Sequence, residues 1–236
     1  MTGDQLSLPL ETPARAARLP ERIAPMQATT VDVPFDDPEF LFEPWWPGAR
    51  ALAYVDGGRL RLEVAGLSDA LAAFPELADL PEQLTEDGVI LDGTLLVVDA
   101  AGRPDGGLLR RRLGRGPVLP GSPRSAGRPA YVAADLLWSG GASLMRRPFA
   151  ARRARLEEIL APGDRAIVGR GYPREGTLVA EALAMLGIEG LSARCLTARY
   201  RGGPAGDAWL RAPVVPPEPR PRPTLALLLR LPLEEA

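Results

Sequence analysis

The chemistry open to this chain is set first by what it lacks. Its 236 residues include no histidine, no lysine and no asparagine, and all 28 basic residues are arginine. Mechanisms that need a lysine nucleophile, a histidine base or a histidine metal ligand are closed to it. Cys195 and the serines remain as nucleophiles. Activating them without histidine needs a carboxylate or an oriented helix end, and the sequence offers no such arrangement. The densest basic run is Arg110-Arg111-Arg112 with Arg115, Arg124 and Arg128. Its chemistry is positioning on DNA phosphate, against the simpler reading of a solvated loop. The net charge of −2 and pI near 5.4 argue against strong non-specific nucleic-acid binding by the whole chain. A single cysteine excludes an internal disulfide framework and fits a reducing cytoplasm. Met1-Thr2-Gly3-Asp4 is not the basic start of a secretory signal, and no apolar run is long enough to span a bilayer.

The elements that would position such residues can be read from the pattern. Residues 1–20 form a polar, proline-bearing tail, and residues 35–40 a turn-rich lead-in. Ala49–Val55 predicts a strand, Asp56-Gly57-Gly58 a hairpin turn and Arg59–Val64 the return strand. Ser68 caps a short helix through Phe74, and a second helical piece covers Pro75–Leu84. Val89–Val98 reads as a strand around Asp92-Gly93, and Leu108–Leu113 as a short helix before a mobile loop over 114–129. Strands follow at Ala130–Leu137, Ala166–Val168 and Leu191–Leu196, and helices at Pro148–Leu160 and Thr177–Met185. On the Pro148–Leu160 helix, Phe149, Leu156, Ile159 and Leu160 are expected to face inward, opposite Arg152, Arg153 and Arg155. Thr224–Leu233 reads as a terminal strand or helix. Hairpins mixed with helices predict an α+β domain of mostly antiparallel sheets flanked by helices. The expected organisation is a tail at 1–20, one domain at 21–213 and a proline-rich extension at 214–236.

One stretch orders the rest: Glu43-Pro44-Trp45-Trp46-Pro47-Gly48-Ala49-Arg50, leading into the Asp56-Gly57-Gly58 hairpin. It resembles the Lys-x-Asp-Gly-x-Arg motif of bacterial ATP-dependent DNA ligases, whose lysine becomes covalently adenylated. Trp45 stands at the lysine and Pro47 at the aspartate, while Gly48 and Arg50 are kept. The resemblance runs to about residue 213 and is closest to the end-joining type. Val64-Ala65-Gly66-Leu67 falls where the family has Ser-Arg-Asn-Gly, Asp92-Gly93-Thr94 where it has Asp-Gly-Glu, and Ala134-Asp135-Leu136-Leu137 where it has Phe-Asp-Leu-Leu. Glu189-Gly190-Leu191 keeps the family's Glu-Gly-Leu. Arg194 replaces a lysine, and Trp209-Leu210-Arg211-Ala212-Pro213 stands for Trp-Leu-Lys-x-Lys. Residues that shape the fold are kept, and those that touch adenine, ribose and phosphate are mostly changed. GC-rich coding explains arginine for lysine on surfaces, but a working ligase keeps its chemical lysine.

The resemblance implies a nucleotidyltransferase-like fold without an oligonucleotide-binding barrel, since too few residues follow Pro213 to build one. ATP and Mg2+ are implied by the family only, and the expectation here is no cofactor. Glu43, Arg50, Asp135, Glu189, Arg194 and Arg211 are the candidates for a residual nucleotide or metal site. The alternative for Glu43, Arg50, Asp135 and Glu189 is an internal set of ion pairs. Trp45 and Trp46 either fill the space of an adenine or offer one indole to a nucleobase. In the tail, Gln5-Leu6-Ser7-Leu8-Pro9-Leu10 resembles the peptide by which bacterial repair and replication proteins bind the β sliding clamp. Gln5, Leu6, Leu8 and Leu10 would be its contacts, and Arg110, Arg111, Arg112 and Arg115 possible DNA contacts. The expected function is a catalytically inactive, clamp-tethered binding or scaffold component in DNA repair or damage tolerance, partnering the clamp and DNA or repair proteins. The alternatives are a nucleotidyltransferase of altered mechanism with metal held by Asp135 and Glu189, and a protein-interaction domain with no DNA role.

Overall fold

The computed structural model describes residues 18–67, 69–114, 119, 121–122, 125–218 and 224–225. The Gln5–Leu10 peptide, Ser68, Arg115 and Arg124 lie outside them. The strands in chain order are β1 (Met26–Gln27), β2 (Thr29–Thr30), β3 (Asp37–Pro44), β4 (Ala49–Asp56), β5 (Arg59–Val64), β6 (Val89–Val98), β7 (Arg128–Ser139), β8 (Ala142–Ser143), β9 (Ala166–Val168), β10 (Tyr172–Arg174), β11 (Gly190–Cys195), β12 (Gly203–Pro204) and β13 (Trp209–Pro213). The helices are α1 (Gly106–Arg112), α2 (Phe149–Ile159) and α3 (Gly176–Met185).

Two larger sheets carry the molecule. One runs β10-β3-β11-β13-β2; the other runs β5-β4-β6-β7-β8, with β9 parallel to β7. The main ladders are antiparallel. The α+β expectation therefore holds. β4, β6 and β7 are buried on both faces, because alternate residues feed different cores. From β6, Val89, Leu91, Leu95 and Val97 pack with Leu156 and Ile159 of α2. Leu96 and Val98 point the other way, onto Phe40 and Phe42 of β3 and Leu191 and Ala193 of β11. That second core joins the two sheets. α3 seals it with Val179 and Leu183.

Several local expectations need correction. The supposed lead-in at 35–40 is already strand from Asp37, since Phe40 and Phe42 alternate inward onto the second core. The helical pieces between 68 and 84 are short 3-10 turns at Leu71–Ala73, Pro75–Leu77 and Leu80–Gln83. Pro75 begins one turn and Pro81 is second in another, and both lack the N–H that a continuous α-helix would need. The strand at Trp209–Pro213 was not expected. It forms because β11 gives it a complete antiparallel partner from Gly190↔Pro213 to Arg194↔Trp209. Beyond residue 213, Val214 and Leu225 are both buried in the inter-sheet core. Among the described residues no helix is long and apolar enough to cross a membrane.

On α2 the apolar face is as expected, with Leu160 also buried, but two of the three arginines do not lie opposite it. The buried residues are Phe149, Arg152, Arg153, Leu156 and Ile159. Arg152 and Arg153 follow Phe149 by three and four positions, so helical geometry puts them on its face. Arg155 alone of the three arginines is on the outer side.

The centre of the second sheet is tight at Gly93. A Cβ there would lie 2.3 Å from the Val132 carbonyl and 2.8 Å from the Tyr131 ring. Neither a ladder carbonyl nor a buried ring can retreat. Gly93→Ala is expected to lower stability by about 1–3 kcal/mol, read as a lower denaturant midpoint. Gly106→Ala, where the nearest atom is the mobile end of Arg110 at 3.3 Å, should leave that midpoint nearly unchanged.

Candidate functional site

Residues from both sheets meet at a cavity of about 240 Å3. β3 brings Glu43, β11 brings Ser192 and Arg194, and β13 brings Trp209. From the second sheet come Arg50 on β4, Asp92, Gly93 and Thr94 on β6, and Ala134 on β7. Trp45, Trp46 and Gly48, in the link from β3 to β4, complete the wall.

The charged groups are bound to one another. Arg50 Nε donates to Asp92 Oδ1 at 2.9 Å, and its Nη2 donates to Asp92 Oδ2. Tyr200 Oη donates to Asp92 Oδ2 at 2.9 Å and accepts from Arg50 Nη2 at 3.1 Å and from Met26 N at 3.0 Å. Burial pushes the Tyr200 hydroxyl up, with Asp92 adding to it, so the phenol stays protonated and can donate. Burial opposes the Arg50 charge, but Asp92 outweighs it and the net shift is upward.

A second knot lies alongside. Arg152 donates from Nε and Nη2 to the two oxygens of Asp135, at 2.8 and 2.7 Å. Arg153 Nη1 donates to Glu43 Oε1 at 2.8 Å and to Ala134 O at 3.1 Å, while its Nε donates to Glu157 Oε1 at 2.8 Å. Its Nη2 holds the Gly169 carbonyl. Arg194 stands 3.6 Å from Glu43 and 4.0 Å from Asp135. Asp135 is 0% and Arg152 2% exposed.

The tryptophans add a stack. Trp45 lies on Trp209 with ring centroids 5.5 Å apart and planes 28° from parallel. The Arg211 guanidinium sits 4.6 Å from the Trp45 ring centroid, and Arg194 and Arg50 sit 4.0 and 4.6 Å from that of Trp209. Trp209 Nε1 donates to Ser192 Oγ at 2.9 Å. Both Trp45 and Trp209 are engaged by ring or guanidinium neighbours, and Trp45 still borders the cavity. Trp46 is buried at 8% exposure within the inter-sheet core. The two tryptophans therefore narrow the cavity without closing it.

The six site candidates divide. Glu43, Arg50, Asp135 and Arg194 come together as internal ion pairs. Glu189 and Arg211 instead line a wider neighbouring cavity of about 870 Å3, with Arg110 on its rim. The pairing of Asp135 with Glu189 around a metal is not formed: Arg152 occupies both oxygens of Asp135, and Asp135 lines neither cavity. Among the described residues no three of Asp, Glu, Cys or His cluster as a metal site. Arg112 is also corrected. It is fully buried and binds Glu76 and the carbonyls of Ser125 and Gly127, so it anchors the following loop and does not face DNA. Arg110 and Arg111 are exposed. Asp92, Arg152, Arg153 and Tyr200 were missed as site residues. An aspartate inside an otherwise apolar strand requires a partner and signals one. Tyr200 has no local signal; it reaches Asp92 across 108 positions.

Residues 25–212 match the ATP dependent DNA ligase domain. The chain belongs to the ATP-dependent DNA ligase family. It is 30% identical over 193 residues to the multifunctional non-homologous end joining protein LigD of Mycolicibacterium smegmatis, covering 81% of this chain and 24% of that protein. It is 34% identical over 171 residues to a probable DNA ligase of Anaeromyxobacter dehalogenans, covering 70% and 32%. The chain thus spans about a quarter to a third of these relatives. A mycobacterial DNA ligase D solved with ATP and MES superposes at a TM-score of 0.67 and 29% identity, over 82% of this chain and 60% of that one. The ligase domain of Mycobacterium tuberculosis LigD gives 0.66.

As a seat for ATP and its metal, the arrangement fits poorly. The charged part of the cavity, about 240 Å3, is below the roughly 300–1,000 Å3 common for small-molecule pockets, and the wider cavity of about 870 Å3 beyond Trp45, Trp46 and Gly48 holds neither Asp92 nor Glu43. Its carboxylates are held by arginines, and Thr94 and Ala134 offer neither charge nor ring. Breaking the deepest pair tests the electrostatics directly. Asp135→Ala leaves Arg152 buried and unpaired and is expected to cost about 3–5 kcal/mol in chemical denaturation. Asp135→Leu combined with Arg152→Met should recover part of that loss; a single variant as stable as the parent would sink the account.

Proposed function

We propose that this chain is a catalytically inactive relative of the ligase adenylation domain, acting as a binding or scaffold component in DNA repair or damage tolerance. The observation that carries the reading is the residue at the nucleophile position. Trp45 stands where the family has its lysine, and the chain has no lysine to replace it. An indole N–H is a donor only and cannot attack a phosphate. Its ring stacks on Trp209 and lies 4.6 Å from the Arg211 guanidinium, so it takes part in the local packing. Two of the partners that hold the stack, Arg194 and Arg211, themselves stand at family lysine positions. Arginine keeps their charge but not lysine's covalent or proton chemistry. The repair context is supported by the similarity to the end-joining LigD proteins.

In this reading the tail supplies the tether. Gln5, Leu6, Leu8 and Leu10 would engage the β sliding clamp, leucines in an apolar groove and Gln5 at its edge. The folded domain is then carried to sites of replication or repair.

Two measurements test these parts separately. Incubation with radiolabelled ATP and Mg2+ is expected to give no protein–AMP adduct, for the native chain and for Trp45→Lys alike, because Pro47, Thr94 and Ala134 would still be in place. An adduct on the native chain would overturn the inactive reading. For the tether, the full chain is expected to bind purified clamp in a surface-plasmon assay. Changing Gln5 and Leu8 to alanine should weaken that binding at least about tenfold, or about 1.4 kcal/mol. Unchanged affinity would remove the clamp from the proposal.

A further inference from the structure

One six-residue string occurs twice. Leu6-Ser7-Leu8-Pro9-Leu10-Glu11 and Leu229-Arg230-Leu231-Pro232-Leu233-Glu234 agree at every place but the second, and Leu-Pro-Leu occurs nowhere else in the chain. The first copy carries the tether residues proposed above; the second has no role in that reading. Both copies lie outside the described residues, but the stems that lead to them are anchored. Leu19, nine positions after Leu10, packs against the core of Ile23, Met26, Leu52 and Tyr54. Leu225, four positions before Leu229, is buried in the inter-sheet core, and its N donates to Gly102 O at 2.5 Å.

What the two copies share, and where they differ, has a physical meaning. Proline disfavours the helical region for the residue before it, so Leu8 and Leu231 are biased towards extended backbone. Alternate residues of an extended chain face one way. Bound in that form, each copy presents three leucines on one side: Leu6, Leu8 and Leu10, or Leu229, Leu231 and Leu233. The place that differs, Ser7 or Arg230, falls on the other side. Keeping an apolar face while its back changes from a neutral hydroxyl to a charge is what one apolar groove requires of two ligands. A leucine-rich composition repeating by chance has no reason to divide in that way, or to keep the proline and the glutamate. One difference lies just before the string: Gln5 precedes the first copy and Leu228 the second.

We propose that the two copies are ligands for the same groove, and that the chain bridges two such grooves on one partner built from identical subunits. This rests on the tether reading above, which takes the clamp as the partner, and extends it from one contact to two. The second copy lacks the glutamine and its hydrogen bond at the groove's edge, so by itself it binds about two- to tenfold more weakly than the first. Stems of nine and four residues reach roughly 30 and 13 Å when fully extended. Leu19 and Leu225 belong to different cores, so the two copies leave the domain at separate places. Once one copy is seated, the other binds intramolecularly, which raises the affinity about a hundredfold.

The test mixes the full chain with purified clamp in solution. Calorimetry reads affinity and stoichiometry, and light scattering reads the mass of the complex. Each native chain is expected to fill two grooves, in a complex that holds one clamp. Leu231→Ala with Leu233→Ala should weaken binding about a hundredfold and double the number of chains bound per clamp, with the unfolding midpoint retained. Gln5→Ala with Leu8→Ala should weaken it at least as much, and all four changes together should abolish it. The proposal is overturned if the Leu231 and Leu233 variant keeps native affinity and stoichiometry, or if complexes hold more than one clamp. It is equally overturned if that variant loses its unfolding midpoint while clamp binding is unchanged, which would assign the second copy to its own domain, beside the cavity of about 380 Å3 bordered by Leu225, Ala130, Ala166 and Ile167. The two readings fail distinguishably. Binding that depends on Gln5 and Leu8 alone keeps the single tether and removes the second contact; a native chain that does not bind clamp removes both.

Discussion

The structure depends on a buried ion pair. Asp135 of β7 and Arg152 of α2 form a two-pronged contact at 2.8 and 2.7 Å with almost no exposure to solvent. Charges so placed are tolerated only when each is fully engaged. That demand fixes the angle at which α2 lies on the second sheet, since the helix must present Arg152 to Asp135 and Arg153 to Glu43. Arg153 then reaches the first sheet, because Glu43 belongs to β3. One turn of one helix thus ties both sheets together through charge, where Leu96, Val98, Phe42 and Leu191 tie them through apolar contact.

The same constraint explains the form of the cavity. Charged and aromatic residues from both sheets converge at this cavity. Here they are satisfied by one another: Asp92 by Arg50 and Tyr200, Glu43 by Arg153, and the Trp45–Trp209 stack by Arg211, Arg194 and Arg50. Trp45 is therefore one member of a set of mutually supporting contacts. Removing any single member exposes a buried charge or an indole face. The set also has a consequence at the surface, because Arg152 holds the carbonyls of Arg147 and Ala198 while it holds Asp135.

Much of the fold could be read from the chain. The β4–β5 hairpin follows from alternation around Asp56-Gly57-Gly58, and its register of Asp56↔Arg59 through Ala51↔Val64 is what a two-residue turn imposes. β6, β7, α3 and the α+β class were equally legible from apolar pattern. The misreadings have particular causes. Arg152 and Arg153 were assigned outward by residue type, although their spacing from Phe149 placed them inward. Arg112 was read as surface because it closes an arginine run, yet it binds Glu76, 36 positions away, and two carbonyls of the following loop. β13 has little strand character of its own and takes its form from β11.

By itself, the sequence determined the class of fold, the family and the absence of any lysine, because these rest on local pattern and residue identity. Which charges would neutralise which was decided only in the tertiary structure. Glu43 meets Arg153 across 110 positions, and Asp92 meets Tyr200 across 108. Pairings at such separation follow from how the sheets and α2 pack, and no local spacing encodes them. Tertiary structure also decided that Trp45 would lie on Trp209, and that the segment before α2 would hydrogen-bond the one after β11. The reason is the same in each case: burial forces every charge and ring to find a partner, and only the folded chain determines which partner is within reach.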